Sequence, residues 1–337
     1  MINIKRSFVS RGLIILVSII VLFMVFFVNQ SAVSAKTLTL KAGHVLAPDH
    51  PYQPGLLYFS KLVKEKTNGE IDIQVFPSSQ LGNERDMIEG LQIGTLDISL
   101  VSTAPLSGFS KSFMIFDLPF IFKDRDSAYK VLDGKIGTES LNTLEKIGIK
   151  GLCYWENGFR NLTNNTRPIN SPNDVKGLKI RLMENPVHMA TFRALGADPT
   201  PMAFGELFTA LQQGTIDGQE NPLPIIWTSN FYEVQKYLAI TEHFYAPAPL
   251  LISKACWDKL TSIQQDAIQK AAIEARDYER QLVKDMSDKL LEELIKKGMM
   301  VTYPDKDEFK KATRVVYEEF EDEIGKDFIK KVEEALQ

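Results

Sequence analysis

Three polar signals interrupt apolar periodicity between Gly151 and Pro222, and their residues are the ones best suited to chemistry. They are Gly158-Phe159-Arg160-Asn161-Leu162-Thr163, Gly177-Leu178-Lys179-Ile180-Arg181 and Asp217-Gly218-Gln219-Glu220-Asn221-Pro222. In the second, Leu178, Ile180 and Leu182 alternate as a half-buried strand does, which puts Lys179 and Arg181 together on the opposite face near the strand's end. Asn185-Pro186 then reads as an N-cap followed by proline at the first helical position, so a helix is expected to open shortly after Arg181. A guanidinium fork beside a helix N-terminus suits an anion, because the fork can hold a carboxylate through two parallel hydrogen bonds and the helix end adds free N–H groups. The pattern alone leaves a second reading open, in which Arg181 is a strand-end arginine paired to a surface acid.

Catalytic signatures are missing from the sequence: it has no Gly-x-Ser-x-Gly elbow, His-Glu-x-x-His, phosphate loop, dinucleotide fingerprint or Cys-x-x-Cys pair. His44, His50, His188 and His243 are scattered, so neither a metal site nor a cofactor is expected. Two alternatives to a binding protein stay open at this point. One is an exported enzyme acting on a carboxylate substrate, with His44 or Glu220 as base and Arg181 as anchor; the other is a surface protein held by an uncleaved N-terminus.

Residues 1–35 read as an export signal. Lys5, Arg6 and Arg11 precede an uncharged run from Gly12 to Val28, and Val33-Ser34-Ala35 offers small residues for cleavage. With no cysteine after the run, a lipoprotein anchor is not expected. Removing those three positive charges takes the formal net charge from −4 to −7, which disfavours nucleic acid or an anionic membrane surface as a partner. Roughly 300 residues remain, natural for two domains. Cys153 and Cys256 read as small buried hydrophobes, with a disulfide left open by the exported setting.

The elements that must position these residues alternate. A strand is expected over 38–42, a helix carrying Leu56, Phe59, Leu62 and Val63 stopped at Asn68-Gly69, a strand at Ile71, Ile73 and Val75, a helix over 83–93 ended by Gly94, and a strand over 96–101. Such βαβ units argue for a largely parallel sheet with ligands beyond the strands' C-terminal ends, where His44 and Ser102 fall. Leu91-Gln92-Ile93-Gly94-Thr95-Leu96-Asp97 recurs as Leu211-Gln212-Gln213-Gly214-Thr215-Ile216-Asp217, so two similar lobes are expected to bring Ser102 and Asn221 to comparable positions; a shared helix–Gly–strand vocabulary is the other explanation. Asp117 to Phe122 and Ala246 to Pro249 read as crossings between lobes. Thr261 to Gln264 is a capping box opening a helix that persists to Gly298, followed by a short strand from Met300 and one or two acidic helices. A helix of that length measures roughly 50 Å and should span both lobes.

With Pro199-Thr200-Pro201-Met202-Ala203-Phe204 and Phe231-Tyr232-Glu233-Val234-Gln235-Lys236, the three opening signals resemble the solute-binding proteins of tripartite ATP-independent periplasmic (TRAP) transporters, the DctP family, from about Leu38 to the C-terminus. The resemblance implies an α/β, two-lobed periplasmic binding protein fold of class II, with a ligand cleft between the lobes. Lobe I would comprise residues 36–158 and 247–286, and lobe II residues 159–246 and 287–337. It implies a periplasmic protein that captures an organic acid anion and passes it to integral membrane subunits of a secondary transporter, without catalysis. By the same resemblance Arg181 forms a two-pronged salt bridge with the ligand carboxylate, Arg160 faces that carboxylate or its neighbour, Asn221 contacts the ligand and Phe204 forms an apolar wall. From the pattern alone Phe204 reads as core and His44 as a loop histidine; Trp155 reads as buried, with stacking on a sugar face as the alternative. Sialate-binding members carry an acid and an arginine where this chain has Ser102-Thr103-Ala104-Pro105-Leu106, which disfavours sialate and leaves a sugar acid, such as a uronate or aldonate, or a C4-dicarboxylate.

Overall fold

The computed structural model describes residues 37–336, so the expected export signal at 1–35 lies outside the described residues. Alternating apolar residues form β1 (Leu38–Gly43) and β2 (Ile71–Phe76), with Leu40, Ala42, Ile71 and Ile73 buried. Between them α1 (Tyr52–Lys66) buries Leu56, Phe59, Leu62 and Val63 at helical spacing. Helix α2 (Glu84–Ile93) opens on a capping box of Asn83 and Asp86 and ends at Gly94, whose φ of 74° is left-handed. Next come β3 (Ile98–Leu100), the single turn α3 (Thr103–Leu106), α4 (Arg125–Leu132) and α5 (Lys135–Thr143).

The chain continues through β4 (Ile149–Asn164), β5 (Lys179–Leu182), α6 (Pro186–Ala194), β6 (Asp198–Pro201), α7 (Leu207–Gln212), β7 (Gly218–Asn221) and α8 (Leu223–Thr228). Then follow β8 (Tyr237–Ser253), α9 (Lys254–Trp257), α10 (Ser262–Lys296) and β9 (Met300–Thr302). Three helices close the described chain: α11 (Lys306–Thr313), α12 (Val315–Ile324) and α13 (Lys326–Leu336). That is one more than the acidic tail suggested.

All strands join one sheet in the order β2-β1-β3-β8-β4-β7-β5-β6, with β9 beside β8. Read outward from the middle, the two halves repeat each other. Each wing is parallel, β1 pairing with β2 and β3 in one and β5 with β6 and β7 in the other. The centre departs from the expected parallel sheet, because β4 and β8 pair antiparallel. A chain that leaves one wing for the other and later returns must cross the middle in opposite directions. These two strands, of 16 and 17 residues, are therefore the crossings. Ala246 to Pro249 lies within β8 as expected, whereas Asp117 ends a 3-10 turn (Lys111–Asp117) and the residues after it form no strand.

The internal echo is structural. Gly94 and Gly214 both adopt left-handed φ, 74° and 67°. Asp97 Oδ2 accepts the backbone N–H of Lys41 at 2.9 Å, and Asp217 Oδ2 accepts that of Lys179 at 2.8 Å. In both wings the aspartate thus ties the strand it precedes to the neighbouring parallel strand at the same register, with Ala42 opposite Ile98 and Ile180 opposite Gly218.

Helix α10 runs for 35 residues from the Thr261–Gln264 capping box, roughly 50 Å, and packs against α1, β4 and α8. It therefore touches both wings. Trp155 sits in the middle of β4 rather than at its end, fully buried, with Nε1 donating to Ala272 O of this helix at 3.3 Å, which is the core position that the pattern favoured. Cys153 and Cys256 are both free thiols. No described helix is long and apolar enough to cross a membrane.

Candidate ligand-binding cleft

Arg181 occupies the C-terminal half of β5, where alternation would place it on the face of Lys179. Lys179 is exposed and Arg181 is buried, because the strand's end runs under Phe204 and the opposing wing. Its Nε donates to Met202 O at 2.9 Å, its Nη1 has no partner, and no carboxylate pairs with it among the described residues. The surface-acid reading therefore fails. Burial, and then the neighbouring Arg160 charge, lowers its pKa to about 10, so it is still a cation at neutral pH and an expensive one to leave unanswered.

Arg160 lies on β4 and is answered. Its Nε and Nη2 donate to the Glu220 carboxylate, the latter at 2.8 Å to Oε1, and Nη2 also reaches Glu220 O at 2.6 Å and Asn221 Oδ1 at 3.0 Å. Its Nη1 is left without a partner. Burial alone would raise the Glu220 carboxyl, but the Arg160 charge and the hydrogen bond from His243 Nε2 at 3.3 Å outweigh it and hold the group well below the usual carboxylate range. Glu220 is thus a spent counter-ion, unsuited to the role of base. Asn221, at the end of β7, turns Oδ1 to Arg160 and Nδ2 to Gln219.

Arg160, Arg181, Asn221, Phe204 and Ser102 all line one cavity of about 20 Å³, together with Val45, Leu46, Tyr52, Glu84, Asn157, Met183 and Ile225. A second cavity of about 30 Å³ adjoins it, sharing Glu84, Arg181, Met183 and Phe204 and reaching Arg85, Glu184 and Met202. Residues of both wings therefore meet around one narrow space, with room for roughly one or two water molecules in each part.

The two remaining expectations fall outside the lining. His44 is fully buried behind Tyr52, its Nε2 on Gln53 Oε1 at 2.8 Å, and burial lowers its pKa to about 4. The helix N-terminus after Arg181 forms as read, with Asn185 Oδ1 accepting the His188 N–H at 2.8 Å. It does not serve the cavity, though. Asn185 Nδ2 instead donates to Ala104 O, Ser107 Oγ and Asp117 Oδ2, tying α6 to the opposite wing.

Three lining residues had no sequence signal as ligand contacts. Glu84 reads only as a favourable first-turn acid beside an N-cap; folded, its Oε1 accepts the Ser102 N–H at 2.6 Å. Asn157 Nδ2 donates to Ser102 Oγ at 3.2 Å, and the buried Tyr52 hydroxyl lies beside the Asn157 side chain, although neither Asn157 Oδ1 nor the hydroxyl makes a hydrogen bond of good geometry. The helical stripe of Tyr52 and the strand position of Asn157 look like ordinary core until the wings meet.

Residues 42–323 match the family model described as bacterial extracellular solute-binding protein, family 7, DctP. The chain belongs to this family. The solute-binding protein is 36% identical over 322 residues to the 2,3-diketo-L-gulonate-binding periplasmic protein YiaO of Escherichia coli, covering 94% of this chain and 98% of that one. A TRAP periplasmic solute-binding protein from Polaromonas, solved bound to D-erythronate, is 44% identical with a TM-score of 0.86, covering 88% and 98% of the two chains. Another, from Sulfurospirillum deleyianum with bound succinate, is 35% identical with a TM-score of 0.85, covering 89% and 99%. The fold is thus the two-lobed fold of TRAP binding proteins, and the family and its structural neighbours bind solutes rather than transform them.

Proposed function

We propose that this solute-binding protein captures a small organic acid anion, a sugar acid or a C4-dicarboxylate, in the cleft between its wings and delivers it in the periplasm to the membrane subunits of a TRAP secondary transporter. The observation that carries the reading is a pair of buried guanidinium donors without acceptors: Arg160 Nη1 and Arg181 Nη1 belong to residues lining the same cavity. Unmet donors of this kind cost free energy in the ligand-free closed state, and a carboxylate would meet them. Arg181, the cation without a counter-ion, anchors the carboxylate; Arg160, already neutralised by Glu220, contributes a remaining N–H.

The lobes in this reading are residues 36–158 with 247–286, and 159–246 with 287–337. The test compares an acid with its amide by calorimetry, on the wild type and on Arg181→Lys. A bound acid should lose on the order of 2 to 5 kcal/mol when converted to the amide, and similarly in the lysine variant, because an ammonium cannot reproduce a planar two-donor fork. Equal affinity for acid and amide would remove the carboxylate anchor.

A further inference from the structure

Arg160, Glu220, Arg181 and Glu84 meet in or beside the cleft, with the mutually paired Arg85 and Glu184 also lining the second cavity, and the first four do not cancel evenly. Arg160 and Glu220 answer each other through two hydrogen bonds to the carboxylate. Arg181 is a cation with no carboxylate partner among the described residues, and Glu84 is a carboxylate that forms no ion pair with any lysine or arginine among them. Glu84 lines both adjoining cavities, as Arg181 does. The first cavity also holds Asn157 Oδ1, a buried acceptor that makes no hydrogen bond of good geometry, with the Tyr52 hydroxyl beside the same side chain. One end of the space thus asks for an anion, while Glu84 and Asn157 ask for donors.

From this we infer that Glu84 is a specificity-determining residue, selecting a hydroxylated monocarboxylate over a dicarboxylate. The inference rests on the proposed anchoring at Arg181. With its carboxylate on Arg181, the ligand presents its remaining carbons to Glu84 and Asn157. Hydroxyl groups there donate to both acceptors. The other cations lining the two cavities are already paired, Arg160 with Glu220 and Arg85 with Glu89 and Glu184, so a second carboxylate would be desolvated beside the Glu84 carboxylate without a free cation to meet it. A dicarboxylate without hydroxyls also leaves Asn157 Oδ1 unmet.

The experiment measures binding of aldonates of four to six carbons and of succinate by calorimetry at neutral pH, on the wild type and on Glu84→Gln, Glu84→Asp and Arg181→Ala, each checked for an intact melting transition. The expected result is at least one aldonate bound 100-fold or more tighter than succinate. Glu84→Gln should narrow that ratio at least tenfold, mainly by improving succinate, while Glu84→Asp, which keeps the charge, should preserve the preference. Succinate binding within tenfold of every aldonate, or an unchanged ratio in Glu84→Gln, overturns the inference. If that happens while Arg181→Ala still abolishes binding, the anchoring reading stands alone. If Arg181→Ala binds as the wild type does, or no acid binds at all, the anchoring reading falls and this inference with it.

Discussion

His44 shows how a buried residue contributes to the acid response of the protein. Burial lowers its pKa to about 4 from 6.5, against the raising effect of its hydrogen bond to Gln53. A histidine with a depressed pKa contributes stability that is complete above the unfolded value and is lost as pH falls from about 6.5 towards 4, because only the unfolded chain then takes up the proton. The shift corresponds to roughly 3 kcal/mol. His50 and His243 are also lowered, by burial first, so they act in the same sense. Burial raises the carboxyls of Glu84, Glu156 and Glu279, which act in the opposite sense, so the prediction rests on a difference: between pH 6.5 and 4.5 the melting temperature of His44→Gln should fall less, or rise more, than that of the wild type. Parallel curves would show that His44 does not carry this response.

At the scale of elements, β4 is the one on which the cleft depends, since it supplies Asn157 and Arg160 while crossing from wing to wing. It does so by breaking its own regularity. Its pairing with β8 shifts register between Gly151 and Cys153, between Glu156 and Gly158, and between Arg160 and Leu162, and each shift re-aims side chains on a strand that would otherwise alternate strictly. Gly158 sits in the middle with φ of 121°, and an added Cβ would lie 3.2 Å from Pro222 Cβ. Gly158→Ala should therefore cost on the order of 1 to 3 kcal/mol of stability and weaken ligand binding, because the strain falls between the two site residues. Gly177→Ala, at φ of 74° with open space around it, should cost about 1 kcal/mol and leave affinity unchanged. Urea denaturation of both variants makes the comparison, and equal losses would show that the conformation at Gly158 is not special.

For the molecule as a whole, the mirrored sheet explains how a binding protein can close. In the proposed mechanism the two wings, joined by the crossing strands and covered by one long helix, rotate about the middle, and a ligand touching both walls only when they meet would shift that equilibrium towards the closed form. In this structure the cleft is already narrow, and α6 is tied across it through Asn185. Scattering, or distance labels on α2 and α7, should report a broader or longer distribution without ligand than with it. An identical distribution at saturating ligand would mean a rigid pocket and would remove the hinge.

The sequence by itself determined the elements and several of their ends. Alternation marked β1, β2 and β5, a capping box marked the start of α10, and glycines marked the stops before β3 and β7, because these depend on neighbours a few residues apart. It also singled out Arg181, since a charge at the end of an apolar strand is conspicuous locally. Tertiary structure decided which charges were free. Arg160 and Glu220 are 60 residues apart, Asn157 and Ser102 are 55 apart, and no periodicity links either pair. Local pattern could not tell that Arg160 would arrive already paired and Arg181 unpaired, nor that Glu84, a commonplace helix-start acid, would face the same space. Those outcomes depend on two wings folding onto each other, where desolvation turns an ordinary surface charge into a selective one.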